Sequence, residues 1–225
     1  MLPPPPLPLP FPIRAQRAVI GVSRDLRGVL LAAHNRATYQ LVFDAVFPRH
    51  VATLTAALAV WWDVPAVTTS VLKCLDELCY NRGLRVAFGA SSAAGILLFR
   101  EASAAIVAYG GRIATLAPQP HEAYPNKFKG VAAALSIFSH CLDGGYVNFG
   151  VFALYGDPAL SAAFETVLKL MLAVPVDEVM VSARGWRRGR ARGICARHSS
   201  APPRPAPSSC SSSRPPRARR TASSA

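Results

Sequence analysis

The chain is predicted to be all-α, a stack of paired amphipathic helices, and three observations predict it. Apolar residues recur at i, i+3, i+4 and i+7 through residues 14–181, with no strand-like alternation anywhere in that span. The runs have helical length, roughly 10 to 18 residues, and their spacing suits units of about 40 to 60 residues better than a 34-residue tetratricopeptide pair. The two ends differ in composition from the middle: residues 1–13 are proline-rich, and 182–225 are a Pro/Ser/Arg/Ala mixture with almost nothing to bury.

The elements follow in order. Pro3 to Pro6, Pro8, Pro10 and Pro12 favour extended polyproline II and forbid the continuous helix of a secretory signal. Residues 1–13 read as a disordered leader or a misplaced start rather than as a PxxP ligand. From Arg14 to Ala33 a helix carries Val19, Val22, Leu26 and Leu30, weakened by Gly21 and Gly28. Thr38 to Phe47 places Leu41, Val42, Val46 and Phe47 on one face until Pro48 breaks it. Pro48 fits the first turn of a second helix through Val51, Leu54, Leu58 and Trp61/Trp62, and the two make one HEAT-like unit.

Asp63 is the expected N-cap of a third helix, with Pro65 in its first turn and Asn81 and Gly83 at its close. A connector, Leu84 to Phe88, leads to Gly89-Ala-Ser-Ser92, a helix start. The next helix carries Ile96, Leu97, Phe99, Ile106 and Tyr109 and is expected to end at Gly110-Gly111. A loop over 117–126 precedes a helix from Lys127 to Leu142. Tyr146 to Tyr155 is a short helix or connector. Asp157-Pro158 opens a last helix with Leu160, Phe164, Val167, Leu168, Met171 and Leu172 on one face, stopped by Pro175.

Charge is placed unevenly. Eleven of the 25 basic residues lie from Arg184 onward, where there is no acid, so residues 1–183 hold the other 14 against all 12 acids. The net charge of +13 therefore belongs to the tail and not to a face of the helical part. Three readings fit the tail: phosphate neutralisation on nucleic acid, a nuclear localisation patch, or translation through a non-coding or frame-shifted stretch. The last suits its composition best, and the chain is expected to be a fragment.

No constellation carries catalysis, a metal or a cofactor. The five cysteines (Cys74, Cys79, Cys141, Cys195, Cys210) form no C-x-x-C, and the five histidines have no ligand spacing. Gly89-Ala-Ser-Ser-Ala-Ala-Gly95 lacks the Gly-Lys-Ser/Thr end of a phosphate loop. Asp76 and Glu77 are adjacent and point to different helix sides, so they are not a carboxylate pair. The longest uncharged apolar stretch, Val51 to Trp62, is short of the roughly 20 residues of a membrane span, and a soluble protein is expected. Arg82, Arg85 and Trp62 are the candidate contacts for a protein partner. For the arginines, the ordinary reading is complementation of a helix C-terminus. For one of Trp61 and Trp62, it is core packing.

Two strings are more specific than any helical pattern: Glu77-Leu78-Cys79-Tyr80-Asn81-Arg82 running into Gly95-Ile-Leu-Leu-Phe-Arg-Glu101, and Gly145-Tyr-Val-Asn-Phe-Gly-Val-Phe152. With Phe43 to Pro48, Asp63 to Leu72, Ser91-Ser92, Tyr109 to Ile113 and Tyr155 to Asp157, they resemble the exportin-7 (Ran-binding protein 16/17) branch of the importin-β superfamily over residues 39–174. The resemblance implies a HEAT-repeat superhelix from a nuclear export receptor. Its partners would be Ran-GTP, protein cargo and FG-repeat nucleoporins, and it would shuttle between nucleus and cytoplasm with no covalent chemistry and no cofactor. The alternatives are a truncated helical-repeat scaffold without transport activity, and a nucleic-acid binder acting through the basic tail.

Overall fold

Proline and asparagine set the first helix pair in the computed structural model, which describes residues 11–89, 92–117 and 122–173. Helix α1 spans Phe11–Ala32, so the last three residues of the expected leader are helical. Pro12 falls in the first turn, where a missing N–H costs nothing. Asn35 stands extended before α2 (Arg36–Val46), and its side chain accepts from Thr38 N at 2.9 Å. Pro48 follows α2 and starts α3 (Arg49–Val60). The inward face of α2 is Tyr39, Phe43 and Val46, while the expected core residue Leu41 is exposed.

Helix α4 (Pro65–Cys79) starts after Val64 with Pro65 at its head. Asp63 lies one residue too early and makes no cap bond there, because the proline already fixes the entry. Its closing turn is a 3-10 turn, Arg82–Leu84, in which Gly83 takes φ 62°. Helix α5 (Ala94–Ile113) continues through Gly110-Gly111 instead of ending there. The glycine is needed for packing: a Cβ on Gly110 would lie 2.5 Å from Thr166 Cγ2 and 3.1 Å from Leu170 Cδ1.

A π turn, Tyr124–Phe128, occupies the end of the expected loop, so α6 is Lys129–Asp143 rather than beginning at Lys127. The π turn directs Lys127 inward, where its Nζ donates to Ala114 O and Leu116 O and so closes the end of α5. The run after Gly145 contains the short helix α7 (Gly150–Leu154). Asp157 Oδ1 accepts from Ala159 N at 2.9 Å and opens α8 (Ala159–Leu172), as its sequence predicts.

There is no strand among the described residues, and six of the eight α-helices alternate between two layers. Helices α1, α4 and α6 lie side by side in one; α3, α5 and α8 lie side by side in the other. This is the helical-repeat arrangement, each pair burying the face its neighbour leaves open. The core runs between the layers through Phe43, Leu58, Leu75, Phe99, Ile106 and Ile137. Burial of each such side chain contributes about 1.5–3 kcal/mol.

Helix α8 departs from its expected face. Ala163, Thr166, Val167 and Leu170 turn inward, while Phe164, Leu168, Met171 and Leu172 face solvent. Only one side of α8 is covered by α5, so an apolar pattern spread over both sides leaves one open. Residues 1–10, Ala90-Ser91, residues 118–121, Pro175 and the arginine-rich tail 182–225, with Cys195 and Cys210, lie outside the described residues.

Candidate interaction site at the end of the fourth helix

A helix leaves its last four carbonyls without partners. In α4 these ends are buried between neighbours, where an unpaired carbonyl would cost about 1–3 kcal/mol. Side chains answer those of Glu77, Leu78 and Cys79, and side chain and turn backbone answer Tyr80 just beyond. Arg85 donates from Nη2 to Glu77 O at 2.8 Å and from Nε to Tyr80 O at 3.3 Å. Tyr39 donates to Leu78 O at 2.7 Å, and Tyr146 donates to Cys79 O at 2.9 Å.

Arg85 is the centre of this cluster. Its side chain is fully buried, and its Nη1 donates to Leu30 O at 2.6 Å and Ala33 O at 2.9 Å, closing α1. Its remaining hydrogen bond is an ion pair with Glu77 Oε1 at 2.8 Å, and its guanidinium lies over the Tyr39 ring, 5.4 Å from the centroid. Five hydrogen bonds use all five N–H donors of a guanidinium. Arg85 therefore ties α1 to α4 and has no donor left for a partner. Asn81 adds a tie to α6: its Nδ2 donates to Gly144 O at 2.6 Å, at the end of that helix, while its Oδ1 accepts from Val86 N at 2.7 Å.

Arg82 is different. It shares Glu77 at 3.2 Å and lies 5.2 Å from the Tyr80 ring, but a third of its side chain faces solvent. Trp62 is half-buried against the core in the turn before α4. It sits at the opposite end of a 15-residue helix from the two arginines, about 22 Å away at 1.5 Å per residue. The three candidates do not form one site.

Asp76 and Glu77 go separate ways as expected. Asp76 pairs with His140 Nδ1 at 2.9 Å, and the imidazole stacks on Tyr80 with centroids 4.2 Å apart. The thiols nearby are poor nucleophiles. A hydrogen bond with Cys141, together with burial, pushes the Cys79 thiol well above its ordinary value, and burial pushes Cys74 up to about 12. Burial likewise raises the hydroxyls of Tyr39 and Tyr146. Among the described residues no group of three metal-ligating side chains occurs, and no single helix is long and apolar enough to cross a membrane.

Sequence reasoning picked out Arg82 and Arg85 but not the donor role that Arg85 shares with Tyr39 and Tyr146, which lie 39 and 67 residues away from their carbonyl partners. The signal available was the pair of specific strings themselves. The first holds Glu77 to Arg82 and the second holds Tyr146, and the two meet at the end of α4.

The chain is similar to proteins named exportin-7 and Ran-binding protein. Exportin-7-B of Xenopus laevis is 44% identical over 167 residues, covering 74% of this chain and 15% of that protein. Exportin-7 of Dictyostelium discoideum is 40% identical over 165 residues, 73% of this chain and 16% of its own length. Ran-binding protein 17 of Homo sapiens is 38% identical over 166 residues, again 73% of this chain and 15% of that protein. The chain thus spans about a sixth of the length of these relatives. No family model matches it, and no solved structure matches it significantly.

Proposed function

We propose that this chain, homologous over nearly three quarters of its length to the exportin-7 and Ran-binding protein 16/17 family, is a segment of a nuclear export receptor. The carrying observation is the extent and identity of that match, which exceeds what a loose hydrophobic repeat produces. In this reading the receptor binds protein cargo together with Ran-GTP. It contacts FG-repeat nucleoporins in the nuclear pore and shuttles between nucleus and cytoplasm. It does no covalent chemistry and uses no cofactor. A stack of helix pairs suits such work, because partners are gripped along helix faces rather than in a cleft. Of the three candidate contacts, Arg82 keeps a solvent-facing edge and is retained; Arg85 is assigned to holding the stack.

The test is a chimera. Residues 14–173 replace the matching stretch of Xenopus exportin-7, and capture of cargo is measured with Ran loaded with GTP or GDP. Cargo capture that still requires Ran-GTP is the expected result. Equal capture with both nucleotides, in a chimera whose helical circular dichroism is intact, overturns the reading and favours a scaffold without transport activity.

A further inference from the structure

Helix α1 repeats itself every seven residues. Arg17-Ala-Val-Ile-Gly21-Val22-Ser23 is followed by Arg24-Asp-Leu-Arg-Gly28-Val29-Leu30, so arginine, glycine and valine each recur one heptad on. Seven residues are close to two helical turns, and the repeat gives α1 two stripes. One, with Val19, Ser23, Leu26 and Leu30, turns inward beside α4. The other faces solvent: Arg14, Arg17, Arg24 and Gly28 are exposed, and Val22 and Val29 are each 49% exposed. Solvent imposes no period on a helix face. A second helix does, because two helices wound on each other meet every seven residues.

The glycines point the same way. Gly95, Gly110, Gly130 and Gly144 are required by their surroundings, since a Cβ on any of them would meet another atom at 2.5 Å or less. A Cβ on Gly21 or Gly28 meets nothing within 4 Å, and neither residue has a positive φ. Glycine inside a helix is destabilising relative to alanine, and nothing among the described residues offsets it at these two positions. The exposed arginines are in the same situation. No ion pair joins Arg14, Arg17 or Arg24 to an acid among the described residues. Asp25 is the one acid in α1, and the residues three and four away from it are Gly21, Val22, Gly28 and Val29, none of them basic. Residues 11–60 hold six arginines against two acids, whereas residues 61–173 hold eight bases and eight acids, so the net positive charge of the helical part belongs to this end.

We infer that the solvent side of α1 is a docking surface for an α-helix of a partner protein, whose contacting stripe is small and apolar with acids at seven-residue spacing beside it. Gly21 and Gly28, about 10.5 Å apart along the axis, let the partner's backbone come in close. Val22 and Val29 supply apolar area, and Arg17 and Arg24 meet the acids with forked guanidinium pairs. Asp25 repels a partner acid placed opposite it, which keeps the acids beside the arginines. Other occupants fit less well. RNA has no use for the valines and glycines, and its affinity sums over many phosphates where this stripe offers three arginines. A second copy brings three exposed arginines and one acid to the same stripe, so self-pairing leaves cations facing cations. The inference stands whether or not the chain takes part in transport.

The probe is a fluorescein-labelled helical peptide of three heptads, with alanine and leucine on one face and glutamate every seventh residue on each side of it. Its binding to the full chain is read by anisotropy. A scrambled peptide of the same composition is the control, because the arginines of the tail attract both alike. The patterned peptide should bind at least fivefold tighter than the scrambled one, and a smaller ratio overturns the inference. Gly21→Gln with Gly28→Gln should raise the melting temperature, since both side chains enter open space and favour helix, and yet abolish that preference. A lower melting temperature would show that the chain itself needs the glycines, and it also overturns the inference. Arg17→Gln with Arg24→Gln should abolish the preference with helicity unchanged. Retention of the fivefold preference in either double variant overturns the inference. So does a single-stranded RNA of equal charge that loses more affinity than the patterned peptide in the arginine variant, which would assign the face to phosphates. A wild-type dimer in sedimentation that the glycine variant dissolves overturns it as well, in favour of a second copy.

Discussion

Replacing Arg85 by methionine removes a buried guanidinium that closes two helices at once. Leu30 O, Ala33 O, Glu77 O and Tyr80 O lose their side-chain donor, and Glu77 keeps only Arg82 at 3.2 Å. Removing one partner of a buried ion pair costs about 3–5 kcal/mol, and the remaining Arg82 contact puts this case toward the lower end. Total stability of a domain is about 5–15 kcal/mol, so the loss is a large share of it. With a urea slope of about 2 kcal/mol per molar, the midpoint followed by far-ultraviolet circular dichroism should fall by roughly 1.5–2 M. Lysine at this position supplies three donors instead of five and should recover part of the loss. The double variant Arg85→Met, Glu77→Leu should also recover part, because no carboxylate is left stranded. A loss below about 1 kcal/mol for Arg85→Met would refute the claim that this residue holds the stack; its five bonds would then be replaceable by water.

Other expectations concern packing, pH and surface. Gly110→Ala gains about 0.5–1 kcal/mol of helix propensity but drives a methyl group into Thr166 and Leu170, so a net loss of about 1 kcal/mol or more is expected in thermal melts, and stabilisation would show that α8 shifts freely. Cys74 has an ordinary thiol value of 9.0, raised by burial to about 12, so the folded state keeps a proton that the unfolded chain releases. Its stability contribution is intact below about pH 9 and falls as pH rises toward 12, by about 1.4 kcal/mol at pH 10. Tyr39 and Tyr109, also raised, act in the same sense above 10.0, while the lowered Lys73 acts in the opposite one. The melting temperature should therefore drop through the alkaline range and drop less in Cys74→Ala; equal slopes would remove Cys74 from the explanation. The open face of α8 should bind the dye ANS, and Leu168→Lys with Leu172→Lys should cut that fluorescence by half or more without loss of helicity, whereas unchanged fluorescence would place the apolar surface elsewhere.

Helix existence was legible because period and punctuation agreed. Pro48, Pro65 and Pro158 mark helix starts from fixed backbone geometry, and Asp157 caps as its residue type predicts. Errors arose where a distant contact overrode a local rule. Gly110-Gly111 reads as a stop signal, yet the space demanded by Thr166 carries the helix onward. Asp63 reads as a cap, yet Pro65 sets the entry one residue later. The outward face of α8 was invisible, since a hydrophobic pattern does not reveal which of its sides a neighbour covers. Arg85 illustrates the limit for the candidate site. Its helix-end position is readable, but its burial depends on α1, whose carbonyl partners lie 52 and 55 residues earlier.

A bolt shared by two helices changes how the stack responds to force. In a repeat protein whose units touch only along apolar faces, pulling on one end strips helices off in small, independent steps. Here α1 is fastened to the turn beyond α4 through Leu30, Ala33 and Arg85, across everything that lies between them in sequence. Tension applied at the N-terminus therefore loads the far end of α4 directly. In an optical trap, α1 through α4 should rupture as one event of large extension, and with Arg85→Met that event should divide into smaller ones at lower force.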